Sequence, residues 1–480
     1  MKRTHIFGLG SFFLLGLLLL ISCADESYST NPSHKLSFNE NSYTFDTVFS
    51  TVGSTTATIK AYNKNNKAVS ISSIYLAGGA NSPFKINVSG KSSASQSFKD
   101  IYVRANDSLY VFIQITVNPT NQNSPVLIQD SIVFQLNGNT QYYLLEAYGQ
   151  DVVLFKNKTI VNDTVLLNTK PYLIYGNLTL AEQKTMTIEE GTTMYFHKDA
   201  GLMIHGNFNA IGSPTAPIVL RGDRLDNIVK DEPYDAYSGL WNGITLTAED
   251  AVHQLSFVHI RNAIFGIDIS NGTLTNKPQL TIHNSRLHNF DSCAISATLV
   301  LLTMVNTELS NCGDYCLKVI GGECSIIHST IANYYSKLQR NSASVLIANH
   351  QNNGSVLFPV TNSSIKNSII QGNFSEELVL DNKVNGIAVG SNFALTVSNS
   401  LITGQASSDT IFSNCLWSSP AAIVFVKTDT YPFLFDLIQT SLAKDAANTS
   451  VATLYPTDKK GNSRIADGQP DIGAYEWVTP

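Results

Sequence analysis

Two pairs of oppositely charged residues stand at equivalent places of a repeating segment, and their types and spacing could do chemistry. Asp268 and Lys318 each follow an apolar residue, Ile267 and Leu317, with Ile295 and Ser296 at the matching places between them. Arg286 and Glu308 each precede one, Leu287 and Leu309. A glycosidase needs two carboxyl groups roughly 5–5.5 Å apart for retention, or roughly 6.5–9.5 Å for inversion. Stacked strands about 4.8 Å apart supply such spacings in one or two steps. A lyase acting on a uronate sugar needs a base, usually Arg or Lys, and a cation to neutralise the sugar carboxylate, often Ca²⁺ held by outward Asp or Glu. A groove gathering Asp268, Arg286, Glu308 and Lys318 would suit either reaction. The alternative is a solvated polar face whose ion pairs contribute about 0–1 kcal/mol each.

A second group lies just upstream. Asp223, Asp226, Tyr234, Asp235 and Tyr237 fall in a charged, aromatic stretch that ends at Trp241. Loops carried on a rigid scaffold often hold function. Aromatic faces beside carboxylates suit contact with sugar, and Ca²⁺ is the one cation these carboxylates could hold. No other cofactor is implied. Cys312 and Cys316 have the spacing of half a metal site, but no second half follows, so no metal centre is expected. The cysteines beyond Cys23 (Cys293, Cys312, Cys316, Cys324 and Cys415) read as small core residues, with a disulfide open after export.

The elements that would position these residues come from a repeat. Six segments share one template: Val258-His259-Ile260-Arg261-Asn262, Asn284-Ser285-Arg286-Leu287-His288-Asn289, Asn306-Thr307-Glu308-Leu309-Ser310-Asn311, His328-Ser329-Thr330-Ile331-Ala332-Asn333, Asn367-Ser368-Ile369-Ile370-Gln371-Gly372 and Asn399-Ser400-Leu401-Ile402-Thr403-Gly404. Successive differences of the anchors 260, 287, 309, 331, 370 and 402 are 27, 22, 22, 39 and 32. A step near 22 with occasional longer loops is the mark of stacked coils. One coil cannot stand alone. Its few inward side chains contribute roughly 1.5–3 kcal/mol each, against about 1–2 kcal/mol of lost backbone freedom for every residue fixed. Asn262, Asn289, Asn311 and Asn333 recur two places after the anchor and are expected to form an amide ladder at one turn, where Asn also tolerates left-handed dihedrals.

Other stretches behave differently. Residues 36–151 hold about seven β-rich runs separated by Asn, Gly, Ser and Pro, the pattern of an antiparallel sandwich. Lys2 and Arg3 precede an apolar run at 12–21, too short for a confident membrane span but suited to an export signal. With 31 basic and 37 acidic residues the net charge is -6, which argues against a nucleic-acid partner.

Four resemblances extend this reading. Leu20-Ile21-Ser22-Cys23 resembles a bacterial lipobox, which implies removal of residues 1–22, lipidation of Cys23 and a membrane partner reached through that lipid, with 23–35 as a tether. Ala24-Asp25-Glu26 resembles the surface-export signal of some Gram-negative lipoproteins, which implies an outer-membrane protein displayed at the cell surface, or one facing the periplasm. Asp-Ser/Thr-apolar triplets such as Asp163-Thr164-Val165 resemble O-glycosylation sites of some Gram-negative anaerobes. Residues 36–151 resemble the Ig-like modules of bacterial surface proteins, which act as spacers or sugar-contacting platforms.

Residues 152–445 resemble right-handed parallel β-helix proteins such as polysaccharide lyases, pectinases and surface lipoproteins. The likeness rests on Gly206, Ala210 and Gly212, on Trp241-Asn242-Gly243-Ile244, and on the repeat. Asp471-Ile472-Gly473-Ala474-Tyr475-Glu476 looks like the C-terminal signature of that family, within a cap at 446–480 where Arg464 could pair with Asp471 and Glu476. The pectinase Asp-Asp, Gly-His-Gly and Arg-x-Lys pattern is absent, and so is the pectate-lyase Arg-x-Pro-x-x-Arg. The expected protein is therefore all-β, an Ig-like β-sandwich followed by a right-handed parallel β-helix. Its expected role is non-catalytic: binding polysaccharide or a host or cell-surface glycan, or serving as adhesin or scaffold. The alternative is a polysaccharide lyase or glycoside hydrolase.

Overall fold

The computed structural model describes residues 27–479 except 120–124, 230, 271–274, 352–353, 355, 386 and 389–391. Cys23 and the expected export signal at 1–22 lie outside the described residues. The chain forms two compact units that divide between Asp151 and Val152.

In the first unit, two sheets enclose one core. The five-stranded sheet runs Ser42–Phe49, Asn139–Gln150, Val126–Leu136, Val69–Leu76, Ser97–Val103, and its first pair is parallel. The four-stranded sheet runs Ala57–Asn63, Asp107–Ile115, Phe84–Val88, Lys91–Ser92 and is antiparallel. Strict alternation explains the arrangement. Along Asp107–Ile115, Leu109, Val111, Ile113 and Ile115 point inward to meet Phe45, Ile71, Phe84 and Phe134, while Tyr110, Phe112 and Gln114 point out.

The second unit is a parallel β-helix. One continuous sheet of 26 strands winds through it, each strand pairing with the strand one coil earlier and one coil later. Three faces result, each with an inward column. On the third face the template anchors align as expected. Tyr172, Met194, Leu220, Ile260, Leu287, Leu309, Ile331, Ile370, Ile402 and Trp417 follow one another in register. On the first face, Leu178, Leu202, Ile244, Ile267, Ile295, Leu317, Val345 and Leu378 do the same. On the second, Ile188, Ala210, Leu255, Ile282, Met304, Ile326, Ile365 and Val397 align. Beside them His253 sits inward between Phe208 and Leu280, fully buried, with neither ring nitrogen hydrogen-bonded.

The ladder forms at a different turn from the one expected. Asn262, Asn289, Asn311 and Asn333 are buried, and the first three have φ of 67°, 62° and 57°. Among the described residues, none of the four side chains bonds to another. The Asn262 amide donates to the Asp235 and Tyr237 carbonyls, Asn289 donates to the Asp235 carbonyl, and Asn333 donates to the Cys312 carbonyl. Backbone of an inserted loop has taken the amides of Asn262 and Asn289, Asn333 bonds to backbone of the preceding coil, and the Asn311 side chain has no partner among the described residues. The true ladder stands at the head of the template. Asn284, Asn306, His328, Asn367 and Asn399 all have φ between 46° and 49°, and the residue after each is Ser or Thr. The Ser329 amide donates to Ser368 Oγ at 3.1 Å, and the Ser368 amide to Ser400 Oγ at 3.1 Å. Each hydroxyl in turn donates to the carbonyl two residues back. The left-handed corner leaves an amide unpaired, and a hydroxyl of the next coil satisfies it.

The last strand of the stack is Leu416–Ser418, and residues from Val424 onward pack with the C-terminal segment rather than continuing as coils to 445. That segment folds back along the third face. A hairpin of Phe425–Lys427 and Leu434–Leu437 and the Asp-Ile-Gly-Ala-Tyr-Glu run seal the outward side of the later coils. Ile472 and Ala474 are buried against Ala332, Ile369 and Leu401. Gly473, at φ 107°, lies so close that a Cβ would come within 2.7 Å of Ile369. Tyr475 donates to Glu308, and Glu476 pairs with Arg464, which also donates to Asn306 Oδ1 at 2.8 Å. Asp471 does not pair with Arg464; it accepts from the amides of Asp445 and Trp477.

Candidate functional site

The third face has two halves. Its outward positions flank the anchor column. In the earlier coils they carry Arg221, His259, Arg261, Arg286 and His288; in the later ones Glu308, Ser310, Thr330, Ala332, Ile369 and Gln371. The later set is buried under the C-terminal segment. The earlier set meets the loop before Trp241 and the 425–437 hairpin: Arg221 and Arg261 pair with Asp235, Tyr431 donates to Asp235, and Arg286 donates to the Phe433 carbonyl.

Asp235 is the centre of this cluster. Its carboxylate meets Arg221 at 3.0 Å, Arg261 at 2.8 Å and the Tyr431 hydroxyl at 2.8 Å. Burial pushes the Asp235 carboxyl up, but Arg261, Arg221 and the Tyr431 bond outweigh it and hold it below the usual carboxylate range. Two guanidiniums thus share one carboxylate. One coil further, Arg286 meets Glu308 at 2.7 Å and donates to the Phe433 carbonyl at 3.0 Å. Glu308 is buried, and burial alone would raise it. Arg286, Ser310 at 2.6 Å and Tyr475 keep it ionised and below its ordinary range. Lys459 approaches the same cluster with no carboxylate in ion-pair contact among the described residues; burial, then Arg286 and Lys460, lower it to about 8 despite attraction to Glu308 and Asp436. His259 is held down to about 3 by burial and by Lys459, Arg286 and Arg261, so both it and the buried His288 are neutral at physiological pH. Arg261 and Arg286 keep 17% and 24% of their side-chain surface exposed. The cluster carries more cations than anions within a chain that is acidic overall.

The residues singled out from sequence separate onto different parts of the coil. Arg286 and Glu308 are brought together. Asp268 and Lys318 are in register two coils apart, but on the first face. The four therefore share no groove, because a coil corner divides each pair from the other.

The loop residues also divide. Asp223 accepts from His197 Nδ1 at 2.6 Å, and the His197 ring stacks on Tyr175 at 4.1 Å. Asp226 pairs with Arg224, whose guanidinium covers Tyr234 at 3.8 Å. Tyr237 donates to Glu232 and lies under Lys337 at 4.7 Å. Cations thus occupy both tyrosine faces expected to meet sugar. Trp241 is a core residue rather than a ligand contact: it is fully buried, stacks on Phe196 at 4.1 Å and donates to the Arg261 carbonyl at 2.8 Å. Among the described residues no group of three His, Cys, Asp or Glu could hold a metal ion, and the five described cysteines are unpaired.

No family model matches the chain. It is similar to the protein bark beetle of Drosophila melanogaster, 35% identical over 72 residues, which is 15% of this chain and 2% of that protein. Among solved structures, it is similar to a family 123 glycoside hydrolase from Clostridium perfringens, described for glycolipid glycan hydrolysis, at 12% identity and a TM-score of 0.18 over 26% of each chain. Overlaps this short carry no argument about activity.

Sequence reasoning missed Asp235 as a hub, Tyr431, Tyr475 and Lys459. The last three come from more than 120 positions beyond the floor they meet. A signal did exist: the residue after the anchor changes from Arg261 and His288 to Ser310, Ala332 and Gln371, a switch from cationic to small or neutral where the covering segment lands.

Proposed function

We propose that this is a cell-surface lipoprotein of a Gram-negative bacterium, held in the outer membrane by a lipid on Cys23, with an Ig-like first unit as spacer. Its β-helix binds an acidic glycan, as adhesin or scaffold, without catalysing a reaction. The carrying observation is the cationic floor of the third face, where Arg221 and Arg261 share one carboxylate and Lys459 has none. A sugar carboxylate or sulfate would take the charge left over, with Arg supplying paired donors. The carboxylates of the cluster are already engaged by Arg, Ser or Tyr, which suits holding better than proton transfer.

The test uses the mature chain with Cys23→Ser on gels containing polygalacturonate. Retardation that weakens with salt, and by about tenfold in a variant carrying Arg261→Gln and Lys459→Met, is expected. Failure of polygalacturonate and of a sulfated glycan to retard the protein would count against this reading. Loss of fatty-acid labelling in Cys23→Ser and protease accessibility on whole cells test the anchor and its leaflet.

The second reading is a polysaccharide lyase or glycoside hydrolase. Lys459 favours it, being lowered toward neutrality beside Arg286 and Tyr475 as a base would need. Appearance of unsaturated products from polygalacturonate, abolished by Lys459→Met, would establish it.

A further inference from the structure

The outward side of the four-stranded sheet in the first unit carries a groove of about 460 Å³. Its lining includes Thr56, Lys85, Asn87, Ser92, Phe112 and Gln114. Strand pairing explains how these residues meet. Phe112 lies on the central strand Asp107–Ile115, with Thr58 opposite on one side and Asn87 on the other. Asn87 is in turn opposite Ser92. Gln114 is paired with Lys85 and donates to Thr56 Oγ1 at 2.7 Å. Tyr110, two residues before Phe112 on the same strand, also points outward. Alternate residues of a strand lie about 7 Å apart, so two rings stand in line at the scale of one sugar unit.

The Asn87 amide nitrogen donates to Ser92 Oγ at 3.0 Å, and its Oδ1, unpartnered among the described residues, is closed off from solvent. Thr56, Ser92 and Gln114 are exposed. Gln114 uses its amide nitrogen on Thr56. Both lysines nearby are engaged: Lys60 stands over the Tyr110 ring at 4.8 Å, and Lys85 reaches the Ala80 and Ser82 carbonyls at 3.4 Å. The groove thus offers an aromatic floor and neutral amides and hydroxyls, with no carboxylate in its lining.

We infer that this groove binds a neutral oligosaccharide, one pyranose ring lying on Phe112 with its hydroxyls shared among the exposed Gln114, Thr56 and Ser92. A sugar has an apolar C–H face and a rim of hydroxyls, which is the complement of a ring bordered by amides. The site is separate from the third face of the β-helix and needs no charge. Its binding is therefore insensitive to salt, whereas an acidic ligand would be released as salt rises.

The test is affinity electrophoresis of the mature chain with Cys23→Ser in gels containing a β-1,3-glucan, a β-1,4-xylan or an α-mannan, at low and high salt. Retardation by at least one of these polymers, unchanged by salt and weakened about tenfold by Phe112→Ala, is expected. Gln114→Ala should weaken it less, and Arg261→Gln should leave it unchanged. Circular dichroism confirms that each variant is folded; Phe112 is exposed, so its loss leaves the core intact. No retardation by any of the three polymers, full retention by a folded Phe112→Ala variant, or loss of retardation in high salt would each overturn the inference. Because polygalacturonate reports on the third face, failure there and failure here are read separately.

Discussion

The earlier and later coils of the third face share one backbone register, yet their outward residues have opposite fates. In the earlier coils, Arg261 and Arg286 keep contact with solvent. In the later coils, Ile369, Ala332 and Gln371 lie under the C-terminal segment with none of their surface exposed. The stack specifies only the inward column. What the outward column does is set by which distant segment lands on it.

Equivalent substitutions in the two halves should therefore differ widely. Ile369→Asp places a carboxylate between coil and covering segment and should cost about 3–5 kcal/mol, by analogy with uncompensated buried charges. Val219→Asp, in the same column of the open half, should cost under about 1 kcal/mol. Urea melts of the two variants check this; similar losses would erase the distinction between the halves.

A corner beside the covered half supplies the next effect. Arg340 and Glu377 form a buried pair at 2.8 Å, and Glu377 also accepts from the Ser344 amide and hydroxyl at 2.7 Å. Glu377→Gln should destabilise by about 3 kcal/mol, because it leaves a buried guanidinium uncompensated. The same change at Glu308, whose partner Arg286 keeps some exposure, should cost less. Denaturant midpoints of both variants rank them.

The core between the faces gives a pH-dependent contrast. Burial holds His253 down to about 4, from an ordinary 6.5. Between those values the unfolded chain binds a proton that the folded chain excludes, so stability falls as pH drops through this window. The loss integrates to about 3 kcal/mol. His253→Leu, flanked by Phe208 and Leu280, should remove that share of the acid sensitivity while leaving the neutral-pH melt nearly unchanged. Melts at pH 7 and pH 4 measure it.

A last effect belongs to the open half. Asp235→Asn loosens the loop at 223–239 by about 1–3 kcal/mol and releases Arg221 and Arg261. Polygalacturonate should then retard the variant more strongly than wild type, an outcome that a purely structural role for the cluster would not produce.

What sequence revealed and what it hid follow from range of interaction. The anchor column was legible because Ile260, Leu287, Leu309 and Ile331 recur at near-constant steps, and a coil meets only its neighbours. The pairing of Arg286 with Glu308 followed from that register. The Asn ladder was assigned to the wrong corner because both corners carry Asn with left-handed dihedrals; the hydroxyl beside Asn284 and its equivalents, rather than the amide, does the bridging. Trp241 and the loop tyrosines were read as ligand surfaces, since a sequence cannot show Phe196, Arg224 and Lys337 closing on them. The covering of Glu308 depends on Tyr475, 167 residues away, beyond the reach of any local pattern.

The returning C-terminal segment also bears on how the chain folds. A stack of coils can assemble one winding at a time, but Ile369 and Glu308 stay uncovered until residues 472–475 dock on them. The later windings are thus closed by the stitch most distant from them in the chain, and a product cut before residue 472 is left with an unsealed, adhesive flank.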